Sequence, residues 1–263
     1  MVLLKSATKK LLGHQTESRI SSKDIICIHT MVGFLWTTEE MFAQGGFTGT
    51  ESHFGVGGKW GADKDRELDG VVWQFQDTDF EADANLEGAH HVISIETADN
   101  APKFPEDILA WTPKQVEAIV DLIVELCRLY DIPAELIPDT KPHRRGLAYH
   151  AQGCTPNIVP GGETWSTSKG KVCPGPARTR QFKNVIIPEV QRRLRITTPQ
   201  GLIDMQWTDK IKLTEEDARV WNLHGKTDVY KKGSEVTVSD MLRYPTLSRK
   251  IDMKLDQLLK EKS

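Results

Sequence analysis

Two imidazoles and a thiol stand out as metal ligands. His150 closes the segment Gly146-Leu147-Ala148-Tyr149-His150, and Cys173 sits in Lys171-Val172-Cys173-Pro174-Gly175-Pro176, so a loop folding back on itself would bring the two together. Imidazole nitrogen and thiolate sulfur are borderline-soft donors that suit zinc. A third donor, His29, follows the apolar run Asp24-Ile25-Ile26-Cys27-Ile28, where a buried strand would deliver it at its end. Three protein ligands leave one tetrahedral position for water, which is the pattern of a catalytic zinc rather than a structural one. On spacing alone Cys154, four residues after His150, rivals Cys173. A carboxylate stands at the end of another short apolar run, Val92-Ile93-Ser94-Ile95-Glu96, and a charge at the end of a buried strand calls for a reason.

The elements that must position these groups alternate in type. After the strand ending at His29, Thr37-Thr38-Glu39-Glu40 reads as a helix start with threonine as cap, Met41 and Phe42 facing inward, and Gly45-Gly46 as its end. Ser52 to Gly57 and Val71 to Phe75 read as antiparallel neighbours joined by a polar loop, and residues 77 to 91 as an acidic loop. The clearest helix opens at Thr112, with Pro113 in its first turn, Gln115 completing a capping box, and Val116, Ile119, Val120, Ile123, Leu126, Cys127 and Tyr130 on one apolar face. Asp131-Ile132-Pro133 stops it. A last helix is expected from Pro176 to Leu194, interrupted at Pro188. Strands alternating with helices in this order predict an α/β fold, a central mixed β-sheet flanked by helices.

Residues 1 to 22 lack periodicity and read as an arm that packs late or loosely. The pattern lapses between Thr197 and Gln206, which sets the expected division at 1–198 and 199–263. The second part reads as a small, mainly helical C-terminal module. A short helix begins at Leu213-Thr214-Glu215-Glu216-Asp217, and Leu247, Ile251, Leu255 and Leu258 form an apolar stripe between Ser239 and Lys262. That stripe either packs on its own module or serves as a seam for self-association.

The chain has 263 residues, of which 38% are apolar and 27% charged, enough for a full-sized catalytic domain and a small appendage. A net charge of -3 argues against a dedicated nucleic-acid binder. No run reaches membrane-spanning length, and the lysines near Met1 lie on the wrong side of a short apolar run for a secretory signal, so a cytoplasmic site of synthesis is expected. Four cysteines are too few and too scattered for a disulfide scaffold, and Cys27 and Cys127 read as core residues.

The order of these pieces carries a resemblance. Ile25 to His29, Ser94-Ile95-Glu96, Thr112 to Gln115, Tyr149-His150 and Lys171-Val172-Cys173-Pro174-Gly175 follow one another as in the zinc N-acetylmuramoyl-L-alanine amidases, a family that includes phage endolysins and peptidoglycan recognition proteins. The chain resembles that family from about His29 to Leu194. The resemblance implies the mixed-sheet fold and a Zn2+ ion held by His29, His150 and Cys173, and by placing the ligand in the Cys-Pro-Gly turn it ranks Cys154 second. It also implies that Glu96 takes a proton from the attacking water and passes it to the departing amine, while Lys171 supports the oxyanion. The implied substrate is bacterial peptidoglycan, cut between N-acetylmuramic acid and L-alanine, and no nucleic acid or membrane partner is implied.

Phage amidases with a similar tail point to an endolysin, held in the host cytoplasm until lysis and then acting on the cell wall. A cytosolic recycling amidase agrees equally with the missing signal segment. The second reading is a peptidoglycan-binding protein without catalysis; such relatives often lose a ligand, and here all three are present. Two departures stand against the family pattern. Ser52, in Ser52-His53-Phe54, occupies the place of a tyrosine that some relatives use, which shifts the burden to Glu96, and the stretch between His150 and Cys173 is longer than in many relatives. Of the other histidines, consecutive His90 and His91 would point to opposite faces of a strand and are not expected to share a metal. They, His53 and His143 read as surface or groove residues, and Trp60, Trp73 and Trp165 are not assigned to the site.

Overall fold

The apolar runs of the sequence become short strands buried on both faces. A computed structural model describes residues 2–12, 18–44, 51–101 and 107–196, with the backbone of 210–212 and 235–237. Six strands, β1 (Thr8–Lys9), β2 (Ile25–Ile28), β3 (Phe54–Val56), β4 (Val72–Gln74), β5 (Val92–Thr97) and β6 (Gly146–Tyr149), form one sheet in the order β1-β4-β3-β5-β2-β6. Strand β2 runs parallel to both β5 and β6, β3 runs parallel to β5, and β3 and β4 are antiparallel, so the sheet is mixed as expected.

The period-two geometry of β2 divides the core. Ile26 and Ile28 pack in the larger cluster with Ile93, Ile95 and the helix α3 (Pro113–Tyr130), whereas Ile25 and Cys27 face Val92, Ala148 and Trp165 on the other side. Helix α3 follows its sequence signals. Thr112 Oγ1 accepts from the Gln115 N–H at 3.0 Å, Gln115 Oε1 accepts from the Thr112 N–H at 3.1 Å, and Asp131 ends the helix in the left-handed region at φ 53°. Ile119, Val120, Ile123, Leu126 and Cys127 form its buried face.

Five expectations change. Helix α1 (Leu35–Phe42) starts two residues before Thr37, because its cap is a distant side chain. Asp63, in the short helix α2 (Gly61–Asp65), accepts from the N–H groups of Leu35 at 2.9 Å, Trp36 at 3.0 Å and Gly58 at 2.9 Å. Phe42 is buried as expected and Met41 is exposed; Gly45-Gly46 lie outside the described residues. The N-terminal arm is not loose: β1 pairs in parallel with β4, Leu4 and Ile20 enter the core, and the Leu4 N–H donates to Gln74 Oε1 at 3.0 Å. The segment holding His90 and His91 is a turn rather than a strand, so alternation does not separate their rings. Finally, the helix after Pro176 is not cut at Pro188. Helix α4 (Pro176–Gln181) passes through a π-helical turn, Phe182–Ile186, into α5 (Ile187–Ile196), and the widened turn precedes the residue that lacks a backbone donor.

The chain divides into two compact units, 1–194 and 195–263. In the second, β7 (Lys210–Lys212) and β8 (Glu235–Thr237) pair antiparallel, which was not expected; both helices foreseen there lie outside the described residues. Among the described residues no helix is long and apolar enough to cross a membrane.

The Asp63 cap is testable. Asp63→Ala strands N–H donors of Leu35 and Gly58 in the interior, and should lower stability by about 3 kcal/mol in urea unfolding. A loss below about 0.5 kcal/mol, the range of an ordinary surface substitution, would show that the start of α1 does not depend on this carboxylate.

Candidate metal centre

Parallel neighbours end at the same rim of a sheet, where ligand sites of α/β folds are found. Ile28 is in register with Ile95 on one side and Tyr149 on the other, so the next residues, His29, Glu96 and His150, emerge side by side. Cys173 returns to this rim from the far end of the long loop. Its carbonyl accepts from the Ala151 N–H at 2.9 Å, and its sulfur accepts from the Thr30 N–H at 3.3 Å. One ligand atom from each of His29, His150 and Cys173 lies within 4.8 Å of the others, and all three residues are buried.

Both imidazoles are oriented by their outer nitrogens. His29 Nε2 lies 3.1 Å from Asn85 Oδ1, and His150 Nε2 lies 3.0 Å from the Trp165 carbonyl oxygen. Each oxygen acceptor requires an Nε2–H, which leaves Nδ1 of both rings as the unprotonated donor, with ring centroids 4.3 Å apart. Burial, then His150 and Lys171, holds the His29 pKa well below the usual imidazole range, and burial with Lys171 brings His150 down to about 4. At neutral pH both are in the form that coordinates metals. Burial, then Glu96, raises the Cys173 thiol, against the Thr30 N–H and Lys171, so a cation among these donors would supply the charge that a thiolate needs here.

Glu96 stands beside this cluster with Oε1 3.7 Å from His29 Nδ1, and since His29 is neutral the contact is not an ion pair. The Glu96 side chain keeps 19% exposure while Oε2 is sealed from solvent without a hydrogen-bond partner. Burial lifts its pKa to about 8, with Lys171 and Arg178 pulling down and Asp99 pushing up. An orphaned carboxylate oxygen next to two imidazoles and a thiol fits a divalent cation and its water.

Cys154 is buried near the same loop, but its sulfur donates to the His150 carbonyl at 3.3 Å and stays outside the ligand cluster; burial raises its thiol to about 11. Lys171 is half-buried and acts electrostatically on His29, His150 and Glu96, whereas Lys169 is exposed. Ser52 is buried with its hydroxyl donating to the Phe54 carbonyl at 3.0 Å. His53 is interior, held between Ser94 and the Phe80 carbonyl, and burial lowers it to about 4. His143 is exposed, and Trp73 is a core residue.

Three participants were not foreseen. Asn85 and Trp165 orient the imidazoles, and nothing local in sequence marks either for that role. Arg178 is fully buried behind the rim. It donates to the Leu109 carbonyl at 2.9 Å, Thr30 Oγ1 at 3.0 Å, Thr97 Oγ1 at 2.8 Å, the Thr97 carbonyl at 3.2 Å and the Ala98 carbonyl at 2.7 Å. Its one signal was an arginine just inside a helix that begins at the Cys-Pro-Gly turn, and Arg180 in the same helix shared it.

No family model and no curated protein matches the sequence. Solved structures do. They include PlyL, at 19% identity over 71% of this chain and 95% of that one, with a TM-score of 0.43. The endolysin N-acetylmuramoyl-L-alanine amidase LysCS from Clostridium intestinale matches at 15% identity over 72% of this chain and 95% of that one, with a TM-score of 0.44. The Staphylococcus aureus hydrolase AmiA, in complex with its ligand, matches at 10% identity over 73% and 86%, with a TM-score of 0.48. The chain is similar to N-acetylmuramoyl-L-alanine amidases.

The ligand assignment separates the two cysteines. With Co2+ as probe, Cys173→Ser should abolish the thiolate-to-metal absorption band and Cys154→Ser should leave it. The opposite result would exchange their roles. Asn85→Ala should weaken metal affinity about 10–100-fold, the usual effect of losing a hydrogen bond behind a histidine ligand, as read by competition with a chelator.

Proposed function

We propose that the chain is a zinc-dependent N-acetylmuramoyl-L-alanine amidase of the endolysin kind. It would hydrolyse the amide between the lactyl group of N-acetylmuramic acid and the L-alanine that begins the stem peptide. The observation that carries this reading is the cluster of His29, His150 and Cys173 at the sheet rim with the unpartnered Glu96 oxygen beside it. When bound, zinc supplies a Lewis acid that polarises a carbonyl and lowers the pKa of a coordinated water from about 15.7 to about 7.

The chain's own groups divide the remaining work. Glu96, with a pKa of about 8, can hold or release a proton near neutral pH, so it takes one from the attacking water and returns it to the leaving amine. Lys171 brings a positive charge to the half-buried mouth of the site and supports the oxygen of the tetrahedral intermediate. Ser52 makes no such contribution, since its hydroxyl is spent on the Phe54 carbonyl. In this reading the protein collects in a host cytoplasm, meets peptidoglycan after the membrane is breached, and uses the second unit for wall attachment or self-association.

The test is the release of new L-alanine amino groups from purified sacculi, with reducing sugar ends measured in parallel. New amino groups without new reducing ends, lost on chelation and restored by Zn2+, are expected. Glu96→Gln should retain zinc and lower the rate by about 10²–10⁴-fold, the usual range for a general acid–base group. Binding to sacculi with no release of amino groups would sink the enzyme and favour a wall-binding protein.

A further inference from the structure

A second set of soft and hard donors lies at the other end of β5. His90 and His91 precede Val92, the first residue of that strand, and Glu163 reaches them from the loop that joins His150 to Cys173. One ligand atom of each lies within 4.8 Å of the others. Five steps along the strand separate His91 from Glu96, about 17 Å of extended chain, so this is not part of the centre at the opposite rim.

The two imidazoles would meet an ion differently. His90 Nδ1 lies 2.7 Å from the Glu87 carbonyl oxygen, which requires an Nδ1–H and leaves Nε2 as the unprotonated donor. His91 Nε2–H donates to Glu163 Oε2 at 2.8 Å, a hydrogen bond that a cation seated between the two would replace, and its Nδ1 stands 3.7 Å from Asp24 Oδ2. The rings stack with centroids 4.6 Å apart and planes 30° from parallel, so a turn places side by side two groups that a strand would have separated. His90, with an oxygen behind Nδ1 and Nε2 forward, has the outer-shell arrangement of a histidine metal ligand, and His91 and Glu163 already hold a nitrogen and an oxygen together at 2.8 Å.

The backbones carrying these groups are also fixed. The carbonyls of His90 and His91 accept from the Ser21 N–H at 2.7 Å and the Asp24 N–H at 3.1 Å. Glu163 is held by its own N–H to the Thr140 carbonyl at 2.9 Å and by the Thr140 hydroxyl to its carbonyl at 3.0 Å. Glu87 pairs with Thr164 twice, through its backbone N–H at 3.3 Å and its carboxylate at 2.6 Å. His91 is buried and Glu163 half-buried, while His90 is exposed and can close over an arriving ion.

We infer that His90, His91 and Glu163 form a second binding site for a first-row divalent cation of the zinc class. Two imidazoles and one carboxylate suit zinc, cobalt or nickel, and they disfavour magnesium and calcium, which take oxygen ligands. Occupancy would pin the long loop to the start of β5. The same loop residue, Trp165, donates its indole N–H to Glu163 Oε2 at 3.2 Å and offers its carbonyl to His150, so the pin acts on the segment that orients a rim imidazole. The inference does not depend on the proposed activity.

The test counts Zn2+ bound per chain after equilibrium dialysis, with melting temperature as a second readout. Wild type should hold two equivalents, Cys173→Ser and His90→Ala one each, and the double variant none. Added Zn2+ should raise the melting temperature of Cys173→Ser but not of Cys173→Ser with His90→Ala, and Glu163→Gln should behave like His90→Ala. His90 is exposed, so its replacement leaves the core intact. If wild type holds one equivalent and Cys173→Ser holds none, His91 and Glu163 form only an ion pair and the second site is refuted. If the single equivalent is lost in His90→Ala and kept in Cys173→Ser, the second site stands and the rim centre fails.

Discussion

A buried guanidinium holds the rim in shape. Arg178 is excluded from solvent, yet from helix α4 it reaches the ends of β2 and β5 and the Leu109 segment through five hydrogen bonds. Burial lowers its pKa to about 10, with Asp99, Cys173 and Glu96 acting against the fall, so it remains charged at neutral pH. Taking such a charge out of water costs several kcal/mol unless its hydrogen bonds are satisfied, and the planar fork of arginine meets carbonyls and hydroxyls at these angles where an ammonium would not. Asp99 completes the arrangement by accepting from the Thr30 hydroxyl, the Val32 N–H at 2.9 Å and the Ala101 N–H at 2.7 Å. Thr30 in turn places its N–H on the Cys173 sulfur. The cluster of His29, His150 and Cys173 therefore rests on a polar framework behind it as much as on the apolar sheet below.

The long loop contributes to that framework from the other side. Trp165 is almost completely buried against Ile25, Cys27, Val92 and Ala148, and its ring lies where a Cβ on Gly88 or Gly153 would come within 2.6 Å and 2.3 Å of it. Those two positions have room for glycine alone unless the indole moves. The stretch between His150 and Cys173, longer than in many relatives, is therefore not a mere decoration: its backbone is part of what orients His150.

Much of this was legible in the residues, because several elements are governed by their neighbours in sequence. Thr112, Pro113 and Gln115 cap α3 with groups three residues apart, and the strands around Cys27 and Ile95 are continuous apolar runs of the kind that parallel sheets bury. What failed did so where the deciding partner is distant. The start of α1 depends on Asp63, which lies 28 residues from Leu35, and the arm at Leu4 is anchored by Gln74. At the site, His29, His150 and Cys173 were nameable from donor chemistry and order. Asn85 and Arg178 were not, since their importance lies in the side chain or carbonyl that the fold brings to them. His90 and His91 were misjudged for a narrower reason: alternation was applied to a turn.

The strand order also governs when the rim can exist. The backbone of Thr30 meets the sulfur of Cys173 across 143 residues, and β2 lies between β5 and the edge strand β6, which begins only at Gly146. Contacts this remote carry a large loop-closure cost before they return any stabilisation, which places such proteins among slow folders. A chain still emerging from the ribosome can form the antiparallel pair of β3 and β4, but it cannot bring His29, His150 and Cys173 together until residue 173 is free. Assembly of this rim is thus delayed, by topology alone, until nearly all of the first unit has been synthesised.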